Sequence, residues 1–336
     1  MQTFRDFMEQ SLYDPAAGFY PRRESKGDFY TAPELHPAFG AVLAAELAAR
    51  LAAVRRARPE TPLCVVEMGS GDGTLSGQLR ASLRAEHPRW AGEARWILVE
   101  RVENLLLKSV QALRASGGEI LGHASLENIP GPVCGVFLSN ELVDALPVHL
   151  LEKSGGEMRE VFVRDPDGTP GPQLGPLSDP ELRPDAEAVA AELPEGGRHA
   201  VSLEARRWLR RVAGLLDAGS ILTVDYGDRF LPGRPNPPRS FRGHRVSGDL
   251  FQAPGRTDLT ASVDFSALIR EGERCGLRTA AFLTLGRFLM DRGILERMPQ
   301  DGSRASFKER AQLKTLFHPD GMGDRFKVLI QEKGLP

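Results

Sequence analysis

The sequence predicts an α/β fold in which a mostly parallel β-sheet carries helices on both faces. Segments typical of buried strands alternate with helical segments along much of the chain. The strand segments are continuously apolar, as expected where both sides of a strand are covered. The first of them leads straight into a glycine-rich loop and a helix, which places a candidate site at the carboxyl edge of the sheet.

The first half of this pattern consists of two strand–helix units. Residues 63–67 (LCVVE) form an apolar run of strand length, and residues 74–86 follow with the spacing of a helix. Residues 95–100 (RWILVE) and 103–116 (ENLLLKSVQALRAS) repeat the same order. Each unit therefore predicts one strand and the helix that returns the chain for the next parallel strand.

The second half of the chain continues the alternation less regularly. Short apolar runs predict further strands, and one segment rich in leucine and arginine predicts a helix. The predicted strands are 119–121, 133–139, 220–224, 277–283 and 325–331, and the predicted helix is 203–216.

Two segments interrupt the pattern. Residues 165–185 are rich in proline and glycine, which indicates an exposed insertion. Residues 228–256 are irregular, contain several arginines and are too long for an ordinary connection, as lids and binding loops often are. We expect residues 1–60 to form a helical cap over the active site, and residues 61–336 to form one domain with insertions at about 151–200 and 228–256.

Composition narrows the class of protein. Of the 336 residues, 41% are hydrophobic and 26% are charged, which predicts a folded chain with a sizeable core. The formal net charge of −2 provides no long-range attraction for nucleic acid or anionic lipid, so we predict no nucleic-acid partner. No apolar run is as long as a membrane span, so we predict no membrane insertion.

The cysteines and the first residues bear on metal binding and localisation. Cys64, Cys134 and Cys275 are widely spaced and encode neither a CxxC metal site nor a disulfide framework, so we predict no metal. The start, MQTFRDFMEQ, has neither the apolar centre of a signal peptide nor the acid-poor character of a transit peptide. These observations predict a cytoplasmic protein that is complete from its first residue.

The loop after the first strand has glycines at alternate positions, in the form Glu67-x-Gly69-x-Gly71-x-Gly73. No lysine follows them as in a P-loop, and their spacing differs from the GxGxxG of dinucleotide sites. The ExGxGxG form after a first strand is typical of sites for S-adenosyl-L-methionine (SAM), where bare backbone passes close beneath the ligand. The alternative is a tight turn that binds no ligand.

Glu100 ends the second predicted strand, at the same edge of the sheet. A carboxylate in that position can accept hydrogen bonds from both ribose hydroxyls of a bound nucleoside. We therefore predict that Glu100 binds SAM together with Glu67 and the three glycines. The alternative is a surface acid that begins the next helix.

A group of polar residues follows the fourth predicted strand, in VFLSNELVDALP. Asn140, Glu141 and Asp144 come where this strand should emerge beside the methyl donor. Glu141 and Asp144 are three residues apart, so they would share a face if the segment were helical. Paired carboxylates can hold a guanidinium or ammonium group, which predicts a methyl-acceptor site. The alternative makes Asp144 a helix cap and Glu141 a solvated acid.

Taken together, these motifs resemble the MidA/NDUFAF7 family of SAM-dependent methyltransferases. The similarity runs in order through nearly the whole chain, in FRDFMEQSLYDPAAGFY, GDFYTAPELHPAFG, EMGSGDGTL, SNELVDALPV, DYG, GRTDLTASVDF and MGDRFKVL. The resemblance implies a class I methyltransferase fold, which is Rossmann-like with a seven-stranded, mostly parallel sheet, an antiparallel last strand and helical additions at both ends. It also implies SAM as the cofactor and a protein arginine as the acceptor, since mitochondrial members methylate an arginine of a respiratory complex I subunit during assembly.

The resemblance assigns a second segment to the cofactor. In this family GDFYTAPELHPAFG covers the SAM pocket, which implies that Tyr30, Thr31, Pro33 and Glu34 lie near the ligand. From its residues alone, the segment is a turn followed by a helix start with proline in the first turn. Tyr30 could equally anchor the core.

The chain departs from the family pattern at a few positions. Ser70 and Asp72 replace the usual proline and arginine of the glycine loop, which alters the rigidity and charge of that loop. Thr284-Leu285-Gly286 replaces the family's TQG, which removes an amide.

We therefore predict a SAM-dependent methyltransferase that acts on an arginine side chain of a protein. Two alternatives stay open. One is a small-molecule O- or N-methyltransferase whose arginine-rich loop binds an acidic substrate, and the other is an assembly factor that binds SAM without turnover. RNA methylation ranks below both, because the overall charge is close to neutral and no aromatic–basic platform is present. The sequence predicts no oligomeric state.

Overall fold

The computed structural model describes residues 1–22, 31–165, 168–230, 233–242 and 245–336. The chain divides into two compact units, each assembled from three stretches of sequence. Unit 1 comprises Met1–Phe29, Val143–Trp208 and Asp228–Leu268, and unit 2 comprises Tyr30–Leu142, Leu209–Gly227 and Ile269–Pro336.

Helices occur along the whole chain. They are α1 (Phe4–Tyr13), α2 (Phe19–Arg22), α3 (Ala32–Leu35), α4 (Ala38–Ala57), α5 (Thr74–Glu86), α6 (Pro88–Glu93), α7 (Glu103–Arg114), α8 (Arg183–Ala190), α9 (Leu203–Leu215), α10 (Phe265–Arg274), α11 (Leu285–Asp291) and α12 (Arg304–Phe317). Short helical turns occupy Leu126–Asn128, Pro180–Leu182, Ile294–Arg297 and Pro319–Gly323.

The strands alternate with these helices. They are β1 (Gln2–Thr3), β2 (Leu63–Met68), β3 (Ala94–Val99), β4 (Ile120–His123), β5 (Val133–Asn140), β6 (His149–Ser154), β7 (Glu157–Arg164), β8 (Gly171–Gly175), β9 (Arg198–Val201), β10 (Leu216–Asp228), β11 (Arg239–Arg242), β12 (Arg245–Ser247), β13 (Asp258–Thr260), β14 (Val263–Asp264), β15 (Arg278–Thr284) and β16 (Phe326–Lys333).

The central sheet belongs to unit 2. In the described part of this unit, seven strands pair in the order β15-β16-β10-β5-β2-β3-β4. The strands from β10 to β4 are parallel to one another, and β16 is antiparallel to both of its neighbours. The predicted α/β fold, with a mostly parallel seven-stranded sheet and an antiparallel last strand, is therefore confirmed.

The register of this sheet brings several loops to one edge. Met68 at the end of β2 pairs with Val99 on one side and with Ser139 on the other. On the far side of β5, Asn140 pairs with Val224. Because these parallel strands end at the same level, the segments that follow them all start at the carboxyl edge of the sheet.

The core of unit 2 covers both faces of this sheet. In β2, the neighbouring residues Val65 and Val66 are fully buried, and so are Val136 and Phe137 in β5. Neighbouring residues of a strand point to opposite faces, so the sheet is buried on both. Each side chain of this size contributes about 1.5–3 kcal/mol by burial, which makes the strand ends a rigid base for a site.

Unit 1 contains strands that the sequence did not predict. β1, β7, β6 and β9 pair in this order into an antiparallel sheet, with β8 added to β7. A second, three-stranded sheet has the order β12-β11-β13. Most described residues of 165–185, predicted as an exposed insertion, are exposed or half-buried, and the segment also contains β8 and the start of α8, which the sequence did not predict.

The predicted division of the chain, with a cap at 1–60 and a domain at 61–336, stays a prediction. Residues 1–29 belong to unit 1 and residues 30–60 to unit 2. In the described ranges, no helix has the length and apolar character needed to cross a bilayer.

Candidate active site

The loop between β2 and α5, residues 69–73, is the glycine loop. Gly69, Gly71 and Gly73 have φ angles of +68°, +52° and +83°, a region that residues with a side chain rarely occupy. The N–H groups of Gly69 and Ser70 donate to the carbonyl of Val99, at 2.8 and 3.2 Å. These bonds join the loop to the end of β3.

The three glycines differ in what surrounds them. A Cβ on Gly69 would lie 2.9 Å from Leu142, and one on Gly73 would lie 2.9 Å from Ser109. A Cβ on Gly71 would meet no atom of the described residues within 4 Å. Packing against the protein therefore explains two of the glycines, while Gly71 presents open backbone that a ligand could approach.

Glu100 is buried beside the glycine loop. One carboxylate oxygen accepts the N–H of Gly71 at 3.0 Å, and the other accepts the N–H of Val102 at 2.9 Å. Burial raises the pKa of Glu100 above its ordinary value, and these backbone N–H groups partly oppose that rise. Each oxygen of a carboxylate can accept a second hydrogen bond, so Glu100 keeps acceptor capacity for hydroxyl groups.

Glu67, near the end of β2, lies against the first turn of α5. Its side chain is 3% exposed and accepts a hydrogen bond from the hydroxyl of Ser76. Burial, aided by the charges of Asp72 and Glu100, raises the pKa of Glu67 to about 8. This acid fixes the strand to the helix, and its predicted contact with the cofactor stays a prediction.

Several buried polar atoms lie at the carboxyl edge without a partner among the described residues. They are the hydroxyls of Ser70 and Ser139, the amide oxygen of Asn140 and Nε2 of His123. Buried polar atoms are almost always hydrogen-bonded, so each calls for a group that the described residues do not supply. Sequence reasoning missed Ser139 and His123 as site residues and treated Ser70 only as a departure from a family pattern. Their positions at strand ends were the available signal.

The end of β5 carries Asn140 and Glu141. Glu141 has a φ of +51°, unusual for a residue with a long side chain and a form of local strain found often at functional sites. One carboxylate oxygen, Oε1, accepts the N–H of Ala32 at 3.0 Å and the amide of Asn140 at 3.1 Å. The other oxygen has no hydrogen-bond partner among the described residues.

Two further acids lie near Glu141, and the three form what we call the acidic cluster, Glu34, Glu141 and Asp225. Burial is the main cause that raises the pKa of Glu141 to about 8, and the charges of Asp225 and Glu34 raise it further. Asp225, which is fully buried, accepts the N–H groups of Leu142 at 3.2 Å and of Tyr226 at 2.9 Å. It thereby holds the turn that follows Glu141.

The predicted N-terminal site segment reaches the acidic cluster. Thr31 precedes α3, and its N–H donates to Glu34 at 3.0 Å. The carbonyl of Pro33 accepts a hydrogen bond from the amide of Gln78 in α5 at 2.8 Å, which attaches α3 to the helix after the glycine loop. Tyr30, also predicted as a site residue, lies outside the described residues.

Asp144 is placed differently from its predicted partner Glu141. Residues 141–147 form turns rather than a helix, so the spacing argument that would put both acids on one helix face does not apply. Asp144 is buried and belongs to unit 1, where its carbonyl accepts the N–H of Ala261 at 2.9 Å. Its predicted catalytic role stays a prediction.

The residues at this edge fit a SAM molecule. Gly71 offers unobstructed backbone, and Glu100 offers carboxylate oxygens suited to a pair of ribose hydroxyls. Ser70 and Asn140 have buried polar atoms that lack a hydrogen-bond partner among the described residues and could bond to polar groups of a ligand. The acidic cluster, by contrast, suits a positively charged group.

Comparison with known proteins agrees with this geometry. Residues 42–283 match the family model described as "Putative S-adenosyl-L-methionine-dependent methyltransferase". A crystal structure of a Burkholderia thailandensis protein bound to S-adenosyl-homocysteine superposes with a TM-score of 0.85 and 26% identity, covering 99% of this chain and 88% of that one.

Named relatives are similar over nearly the full chain. "Protein arginine methyltransferase NDUFAF7, mitochondrial" of Danio rerio is 29% identical, covering 96% of this chain and 81% of its own length. The protein of the same name from Homo sapiens is 27% identical, covering 96% and 78%. Since these relatives are mitochondrial proteins, the prediction of a cytoplasmic protein is wrong.

Proposed function

Because this chain belongs to that family of S-adenosyl-L-methionine-dependent methyltransferases, we propose that its methyl acceptor is an arginine side chain of a protein. The chain is an enzyme, and SAM is its cofactor. One observation carries the proposal about the acceptor. It is the acidic cluster of Glu34, Glu141 and Asp225 at the carboxyl edge of the sheet.

The charges of the acidic cluster favour a cationic acceptor. A carboxyl whose pKa is raised to about 8 by burial and neighbouring acids is mostly protonated at neutral pH. A guanidinium beside Glu141 would offset the repulsion from Glu34 and Asp225 and favour the ionised form. Arginine stays charged at any physiological pH and can bind a carboxylate with two parallel hydrogen bonds. A neutral hydroxyl acceptor would bring neither effect.

The residues of the cluster also suit the proton that this reaction releases. When bound, SAM supplies a methyl group activated by its sulfonium. The attacking guanidinium nitrogen must lose a proton during or after transfer as the methyl group leaves the sulfur of SAM, and the ionised carboxylate of Glu141 can accept that proton. Asn140 holds Glu141 through Oε1, which leaves Oε2 for the acceptor.

The names of the relatives support a protein as the acceptor. Those from Danio rerio and Homo sapiens are named protein arginine methyltransferases, and the similarity covers most of each chain. The family resemblance seen in the sequence adds a finer part to the proposal, that the acceptor is a subunit of a respiratory complex.

The proposal is tested by finding where the methyl group goes. The purified protein is incubated with radiolabelled SAM and a lysate, and the labelled products are separated by size and hydrolysed to amino acids. We expect label in a protein band and in methylarginine. The matched controls are Glu141→Gln, which should lose the signal, and Glu60→Gln, an exposed acid that should keep it.

Three other outcomes would overturn the proposed acceptor. Label confined to small molecules would make the chain a small-molecule methyltransferase, and label in a protein residue other than arginine would exclude arginine. SAM binding without any labelled product would indicate an assembly factor.

A further inference from the structure

The segment 229–256 of unit 1 has a charge unlike that of the rest of the chain. It contains six arginines and one aspartate, whereas the whole chain has a net charge of −2. Arg234, Arg239, Arg242 and Arg256 are all exposed. None of these four has an ion-pair partner among the described residues. Such a concentration of uncompensated positive charge favours an anionic partner.

Other arginines of the same unit are compensated. Arg206 contacts Asp185 at 2.5 Å, and Arg207 contacts Asp179 at 3.0 Å and Glu204 at 2.9 Å. Arg206 and Arg207 are thus neutralised by neighbouring acids, whereas the four exposed arginines of the segment 229–256 have no such acid among the described residues.

The arginines accompany exposed apolar residues on a β-hairpin. Phe241 of β11 pairs with Val246 of β12, so the two side chains share a face of the hairpin. Arg239 lies two residues before Phe241 and faces the same side. Val246 is 59% exposed, Phe241 is partly exposed, and β12 is an edge strand of its sheet. Arginine beside exposed aromatic and apolar residues is typical of the centre of a protein interface.

We propose that this hairpin face, formed by Arg239, Phe241 and Val246, docks an acidic segment of the protein acceptor. The inference rests on the proposed function, because it requires a protein as the substrate. Arg239 pairs with carboxylates of the segment, and Phe241 and Val246 cover its apolar side chains.

A protein segment fits this face better than a nucleic acid does. Nucleic-acid platforms stack several bases on exposed aromatic rings, whereas this hairpin face has one partly exposed ring beside an aliphatic residue. Aliphatic side chains have little to contact in a phosphate backbone but bury well against apolar residues of a peptide.

The test is a binding measurement with the full chain and a fluorescently labelled polyglutamate peptide as the probe. The variant Arg239→Glu/Val246→Glu places like charge on the face and should weaken binding about tenfold or more. The matched control, Arg56→Glu/Leu107→Glu, likewise replaces one exposed arginine and one exposed aliphatic residue by glutamate, in α4 and α7, and should bind as wild type does. Binding should also weaken as salt is raised.

Measurements on the same variants separate this inference from the proposed function. SAM affinity by calorimetry and methylation of a short arginine peptide without acids should be equal in wild type and Arg239→Glu/Val246→Glu. If neither wild type nor any variant methylates arginine, the proposed function is refuted. Polyglutamate binding is a separate measurement and would still show whether the hairpin face binds an acidic segment. If the charge-reversed variant does not fold, Arg239→Ala/Val246→Ser is measured instead, with an expected weakening of about threefold.

Three results would overturn the docking surface. They are no polyglutamate binding by wild type, equal binding by the hairpin variant and the control, or displacement of the probe by a single-stranded RNA at lower concentration than by unlabelled polyglutamate. The last result would assign the face to nucleic acid.

Discussion

The glycine loop and the acidic cluster lie at the same edge of the central sheet, but they are made of different groups. The loop is main chain, in which three glycines with positive φ hold N–H groups against Val99 and Glu100. The acidic cluster is side chain, in which three carboxyls surround one turn and the pKa of Glu141 rises to about 8. The N–H donors of the loop are main-chain groups that do not titrate, whereas the carboxyl of Glu141 does.

This difference separates the two halves of the reaction. Binding of SAM depends on the open backbone of Gly71 and on the acceptor oxygens of Glu100, so changes there should alter SAM affinity. Capture and deprotonation of the acceptor depend on a titrating group, so turnover should vary with pH. Mutations at the two regions should therefore change different constants, and each of the following predictions tests that separation.

The largest effect is expected from Glu141→Gln. The amide keeps the shape of the side chain but cannot accept the proton, so kcat should fall about a hundredfold or more, while SAM affinity changes less than about threefold. In wild type, kcat/KM should rise with pH through about 8, because the carboxylate form binds the cation and accepts its proton. The variant should show no such rise. Equal losses of turnover and SAM affinity would contradict the separation.

On the side of the loop, the largest effect is expected from Glu100→Ala. A lost hydrogen bond to a charged group costs about 1.5–3 kcal/mol, which corresponds to SAM binding that is about ten- to a hundredfold weaker. Calorimetry measures it, and Glu103→Ala, an exposed acid at the start of α7, is the control. An unchanged Kd for Glu100→Ala would show that Glu100 only holds the glycine loop and does not bind SAM.

A smaller effect is expected from Ser70→Ala. Its buried hydroxyl has no hydrogen-bond partner among the described residues, so removing it should not destabilise the protein in the absence of SAM. If the hydroxyl binds SAM, affinity should fall about three- to tenfold. A melting temperature that falls while affinity stays constant would make Ser70 a structural residue and would weaken the assignment of the loop to SAM.

The smallest effect on catalysis is expected from Glu67→Gln, which should instead alter stability. The pKa of Glu67 rises from 4.5 to about 8 in the folded state, so the folded protein binds the proton more tightly than the unfolded chain. Stability from this group is present below about pH 4.5 and is lost as the pH rises to about 8. Thermal unfolding across this range should show that dependence in wild type and a flatter one in the variant. If the melting temperatures of wild type and variant depend on pH in the same way, the raised pKa of the buried Glu67 carboxyl is contradicted.

Much of the fold could be predicted because strand burial and helix periodicity leave clear patterns. The helix predicted at 74–86 has the bounds of α5, and the apolar run at 63–67 lies within β2. β8, in contrast, reads GPQLG, whose proline and glycine resemble a loop. Only its pairing with β7 makes it a strand, and such a partner cannot be read from a short local segment.

The candidate site could likewise be predicted only in part. The glycines and Glu100 were predicted because backbone requirements and strand ends constrain residue types directly. The contact between Ala32 and Glu141 joins residues far apart in sequence, and the buried Nε2 of His123 becomes significant only once the strands are aligned. The pairing of Glu141 with Asp144 was expected from helical spacing, but a turn is present instead.

The left-handed backbone of Glu141 has a consequence for the evolution of the chain. Glycine occupies this conformation without strain, but Glu141→Gly would also leave the N–H of Ala32 and the amide of Asn140 without their acceptor, so it should change the stability little while abolishing methyl transfer. A library of variants selected by thermal survival alone would therefore tolerate glycine here, whereas selection for methylated product would keep the acid. At position 141, selection for stability and selection for catalytic activity therefore impose different requirements.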